Sequence, residues 1–191
     1  MNFNEFRGNR SFPALFNETC LPLLGMRSFF ERAPVDPWVA PAMTQPQSVE
    51  AAGWARYHIR EHPGEPAGLI VMDNNWGHTL RDEFQTHADG EDIAWAQFLH
   101  DPVTPSMDDV VAEVLDNPPA AVYLATAGHP CVLAVQALRS GGFIGEIVLP
   151  VVCTEPPAYL DPLGEHAQGL TALFGAASSY AGPHPDSPIG Q

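Results

Sequence analysis

The sequence predicts an α/β fold in three layers, a parallel sheet with helices on both faces. Three observations carry this. From Gly68 to Leu149, four apolar runs alternate with amphipathic ones in βαβαβαβ order. The run Ala120–Ala125 contains no charge, as a strand covered on both faces requires. The first run ends abruptly at Asp73-Asn-Asn-Trp-Gly77, a cluster that cannot continue a buried strand.

Before this unit the chain is less regular. Met1–Ser11 has no period and is expected to fray, and Phe12–Glu18 is expected to form a short helix. Cys20–Leu24 reads as a short strand closed by Gly25, and Met26–Met43 as irregular chain with a short edge strand at Trp38–Ala40. Thr44-Gln-Pro-Gln47 reads as a capped helix start. That helix runs to about Glu61 with Ala51, Ala52, Ala55 and Ile59 on one stripe, and stops at His62-Pro63-Gly64.

Gly68–Met72 is the first strand of the unit. Trp76, Leu80 and Phe84 then recur at helical spacing until Asp89-Gly90 turns the chain. Ile93–Leu99 is the second strand. Ser106 and Asp109 read as a capping box opening a helix that buries Val110, Val111, Val114 and Leu115, and Asn117-Pro118-Pro119 stops it. After the third strand and the loop Thr126–His129, Pro130 suits a first helical turn. Val132, Leu133, Ala137 and Leu138 line that helix up to Gly141-Gly142. Glu146–Leu149 is the fourth strand. A short last strand is expected over Leu170–Phe174, followed by a loose tail from Gly175.

The totals exclude several function classes. With 191 residues, 45% hydrophobic and 16% charged, the chain suits one core with decorated ends. Eight basic against 23 acidic residues give a formal net charge of −15, which repels phosphate backbones and anionic membranes, so no nucleic-acid partner is expected. No stretch is long and apolar enough for a membrane span. Met1–Gly25 lacks a basic start followed by an apolar run, so the sequence as it stands reads as cytoplasmic. The odd, widely spaced Cys20, Cys131 and Cys153 imply neither a disulfide framework nor a zinc motif, and three buried thiols are expected.

In open parallel sheets, ligands bind beyond the carboxyl ends of the strands. Here those exits are Asp73–Gly77, Leu99–Asp101, Thr126–His129 and Val151–Thr154. Neither His78 with Asp82 nor His100-Asp101 completes a zinc cluster, so no metal is expected. No dinucleotide, nucleotide or paired-carboxylate signature is present, so no cofactor and no catalytic residue is assigned.

From about Phe12 to Phe174 the order of segments resembles the second lobe of type I periplasmic binding proteins, the receptors of branched-chain amino acid, amide and urea ABC importers. The resemblance is carried by Cys20–Gly25, Thr44–Tyr57, Gly68–Gly77, Ala120–His129 with Ala137–Phe143, and Gly164–Gly169. It implies a Rossmann-like lobe over 20–174, between an N-terminal remnant at 1–19 and a flexible tail at 175–191. It further implies a non-catalytic module for a small polar solute, a permease partner, a first lobe or second copy completing the cleft, and a periplasmic location. The sequence departs from amino-acid-binding members near Ala127-Gly128 and Val151-Val152, which offer neither ring nor charge.

The candidate ligand-binding residues are Asp73, Asn74, Asn75, Trp76, Thr126, His129 and Thr154. Trp76 matches a cleft-facing family aromatic but also fits the buried stripe with Leu80. For Asp73 a helix cap is the preferred role, and turn chemistry alone accounts for Asn74 and Asn75. His129 suits an anionic group beside a helix start or plain solvent exposure. Two alternatives stay open: an α/β enzyme of flavodoxin-like or amidase type using His129 or Cys131, and a receptor-derived interaction or regulatory domain.

Overall fold

The computed structural model describes residues 23–24, 39–40, 47–103, 106–154 and 156–173. The chain divides into two units, Met1–Val49 with Gly175–Gln191, and Glu50–Phe174. In the first, strands β1 (Leu23–Leu24) and β2 (Val39–Ala40) pair in parallel. The expected helix at Phe12–Glu18, the fraying start, the cap at Thr44, Cys20 and the tail from Gly175 lie outside the described residues.

The second unit is built on a five-stranded sheet. Helix α1 (Gln47–Glu61) leads into β3 (Ala67–Met72), α2 (Asn75–Gly90), β4 (Trp95–His100), α3 (Asp108–Asp116), β5 (Ala121–Ala125), α4 (His129–Ser140) and β6 (Glu146–Leu149). A 3-10 turn at Val151–Cys153, the short helix α5 (Asp161–Leu163) and a second 3-10 turn at Gly164–Ala167 precede β7 (Leu170–Ala172). All strands run parallel in the order β4-β3-β5-β6-β7. The α/β class and parallel sheet are thus as the alternation predicts, because each crossover returns the chain to the same end of the sheet.

Two apolar layers flank the sheet. On one face Ala51, Trp54 and Ala55 of α1 and Leu80, Phe84 and Ala88 of α2 pack on Leu69, Val71, Tyr123 and Val148. On the other, Val110, Val111 and Val114 of α3 and Val132, Val135 and Leu138 of α4 pack on Ile70, Val122, Leu124 and Ile147. Alternate residues of each strand therefore serve opposite layers. β3 and β5 are buried along their whole length. Edge strand β4 is largely exposed.

The elements differ from expectation in detail. The buried stripe of α1 is Glu50, Ala51, Trp54, Ala55 and His58; Ala52 and Ile59 are only partly buried. Two polar residues at helical spacing belong to the buried face, and a hydrophobic count passes over them. The second strand begins at Trp95 rather than Ile93. There is no capping box on α3: Ser106 Oγ accepts from Asp108 N at 3.3 Å, and the helix starts at Asp108. The last strand ends at Ala172 rather than Phe174.

Candidate ligand site

The order β4-β3-β5 makes a switch point, since the chain leaves β3 toward β4 on one side and returns to pair β5 on the other. In such sheets the crevice lies between the two strands at that point, beyond their carboxyl ends. β3 and β5 pair from Ala67 with Ala121 to Val71 with Ala125. Their exits, Asp73–Trp76 and Thr126–His129, therefore leave side by side.

On the β3 side, Asn74 caps α2, its Oδ1 accepting from Gly77 N at 2.9 Å. Asp73, favoured as the cap from sequence, instead lies outside the helix with Oδ1 2.9 Å from His78 Nε2. The cap falls one residue later because Asn74 holds the extended backbone that the cap position needs, with φ −154° and ψ 174°. Gly77 is required for steric reasons: a Cβ there would stand 2.1 Å from the Met72 carbonyl oxygen. Helix α2 thus starts directly against the end of β3. Asp73 and Asn75 are exposed, Asn74 is half-buried, and Trp76 is half-buried against the core layer containing Leu80 and Phe84.

On the β5 side, Thr126 is fully buried and lies 2.9 Å from His100 Nε2. Gly128 turns the loop with φ 75°, a conformation that glycine adopts without strain, and α4 begins at an exposed His129 with Pro130 in its first turn. Thr154 is half-buried beyond β6, its hydroxyl donating to Val151 O at 2.8 Å. The β3 and β5 candidates share one edge of the sheet; Thr154 lies farther along it, past β6.

Three features of this edge escape the sequence reading. His100, weighed in the sequence only as a metal ligand, is 4% exposed; burial holds its imidazole below the usual range, opposed by the Asp101 carbonyl and the charges of Asp101 and Asp73. Glu50 is equally buried at 4% and accepts from Val151 N at 2.7 Å. Burial pushes its carboxyl up to about 7, against the lowering effect of that N–H. Cys131 and Cys153 are buried as expected but are not thiols: they form a disulfide, with Cα atoms 6.4 Å apart. Adjacent strands β5 and β6 bring their exits together, and residue spacing does not encode that. Its i+4 spacing to the large apolar Trp54 is the one feature of the sequence that could mark Glu50 for the buried face.

A second polar cluster lies at the opposite end of the sheet. Glu146 accepts from Tyr57 Oη at 2.7 Å and from the Thr171 hydroxyl, and its Oε2 is 2.6 Å from His62 Nε2. Among the described residues no group of three or more His, Cys, Asp or Glu could hold a metal ion. No described helix is long and apolar enough to cross a membrane.

Comparison with known proteins supplies the family. The family model described as periplasmic binding protein matches residues 14–187. The chain belongs to the periplasmic binding proteins. An extracellular ligand-binding receptor from Rhodopseudomonas palustris HaA2 superposes with a TM-score of 0.75 at 24% identity, covering 93% of this chain and 50% of its own. A second extracellular ligand-binding receptor from Rhodopseudomonas palustris gives 0.75 at 15% identity, covering 93% and 49%. A leucine binding protein from Thermotoga maritima gives 0.70 at 14% identity, covering 84% and 46%. The chain thus spans about half the length of these solved proteins. No curated protein matches. These relatives are described as receptors or binding proteins.

Proposed function

We propose that this chain is a non-catalytic ligand-binding lobe of an ABC importer's receptor, taking an amino acid, an amide or a related small polar solute. The observation that supports this most is the pairing of β3 with β5, which sets two exit loops side by side. Asp73, Asn74, Asn75 and Trp76 form one wall, with His129 on the other, Thr126 buried beneath it against His100, and Thr154 at the margin. Trp76 supplies apolar area at low entropy cost, and the amide and carboxylate groups orient a polar solute. A complementary lobe, from the same receptor or a second copy, would close the cleft, and the closed state would be read by a permease at the outer side of the membrane.

The test is a thermal-shift screen of the chain against amino acids, amides, urea and short carboxylates. One chemical class should raise the midpoint, by about 2.7 kcal/mol of stabilisation at a hundredfold excess over Kd. Trp76→Ala should fold and lose that shift. A folded chain indifferent to every class, or an unchanged shift in Trp76→Ala, defeats the reading.

A further inference from the structure

We propose that the Cys131–Cys153 disulfide and the Glu50–Val151 hydrogen bond together form an oxidation-dependent staple through all three layers, which holds the β5 exit loop in place. The turn Val151–Cys153 leaves β6 in the middle layer. At one end of it, Val151 N donates to Glu50 on α1, which packs on one face of the sheet. At the other, Cys153 is bonded to Cys131 in the first turn of α4, which packs on the opposite face. The Thr126 carbonyl oxygen lies 3.3 Å from Cys131 Sγ and 3.6 Å from Cys153 Sγ, so the loop Thr126–His129 begins against the disulfide and runs into the helix that carries it.

Forming the bond removes two electrons and two protons from the thiols. A disulfide-carrying oxidant balances this. One cysteine thiolate displaces a thiolate from it to give a mixed disulfide; the second attacks that bond, and the oxidant leaves as two thiols. In the finished fold Cys131 is 2% and Cys153 1% exposed, so exchange requires the loop to open locally. The staple concerns the site of the proposed function, yet its test uses no ligand, and either idea can fail alone.

The experiment refolds the reduced chain with oxidised glutathione, then maps peptides and measures amide hydrogen exchange. The peptides carrying Cys131 and Cys153 should travel as one and separate on reduction. In Cys131→Ser/Cys153→Ser, and in a second, apolar replacement, Cys131→Ala/Cys153→Val, amides over 126–131 and 151–154 should exchange about tenfold faster, with Leu69–Val71 unchanged. Separate peptides after oxidative refolding overturn the proposal, as does equal exchange in either folded variant. Loosening of the whole sheet in both variants, or failure of both to fold, overturns it too, by making the disulfide a support of the entire unit.

Discussion

His100 Nε2 meets Thr126 Oγ1 at 2.9 Å, joining β4 to β5 across the end of the strand between them. Its other ring nitrogen, Nδ1, is 3.1 Å from the Asp101 carbonyl. A carbonyl only accepts, so Nδ1 carries the proton and Nε2 receives the Thr126 hydroxyl's hydrogen. Thr126→Val keeps the shape and leaves Nε2 buried without a donor. It should cost about 1–3 kcal/mol, read as a lower urea midpoint at unchanged slope. An unchanged midpoint would mean that this bond contributes nothing.

Glu50 makes stability fall as pH rises. Its carboxyl titrates near 4.5 when unfolded and at about 7 when folded, so the fold binds the proton more tightly. The stabilisation is full below 4.5 and is lost as pH rises through 7. Glu50→Gln keeps an acceptor for Val151 N and does not titrate. The variant's stability advantage should therefore grow between pH 4.5 and 7.5 by on the order of 2–3 kcal/mol. A pH-independent difference would refute the assignment.

His58 and His100 act with the opposite sign. Burial lowers both below the ordinary value of 6.5, so the unfolded chain takes up protons first and stability declines as pH falls through 6.5. Glu146 adds to this at lower pH: burial alone would raise it, but Thr171, His62 and Tyr57 hold it below 4.5. Imidazole C–H resonances followed by NMR should show two histidines with midpoints under 6.5. Finding every histidine at or above 6.5 would contradict the buried positions.

The start of α2 is sensitive at two neighbouring residues for different reasons. Asn74→Ala removes the cap to Gly77 N and should cost about 1 kcal/mol. Gly77→Ala forces a methyl onto the Met72 carbonyl and should cost more than the cap does, about 3 kcal/mol or above. Thermal unfolding of the two variants checks the ranking.

The alternation of apolar and amphipathic runs made the layers, the parallel sheet and the exits of β3 and β5 legible from sequence. The switch point was not, because strand order depends on which partner β5 chooses, and no single run encodes that. Buried polar residues were also hidden. Glu50 and His58 count as polar in any pattern, and the Val151 amide for Glu50 and the Tyr123 hydroxyl and Glu65 carbonyl for His58 make their burial tolerable. Cys131 and Cys153 were similarly opaque, since their meeting follows from β5 lying beside β6.

The β3–β5 pairing closes a longer loop than its neighbours and so costs more chain entropy than they do. β3 with β4, β5 with β6 and β6 with β7 each pair with the next strand in sequence, but between β3 and β5 the chain must first lay down α2, β4 and α3. Closing that longest loop makes it the joint for which native contacts repay ordering last. The candidate site straddles this joint. A solute gripping both exits would strengthen the seam that the backbone alone holds at greatest expense, and during synthesis no such grip can exist until β5 has left the ribosome.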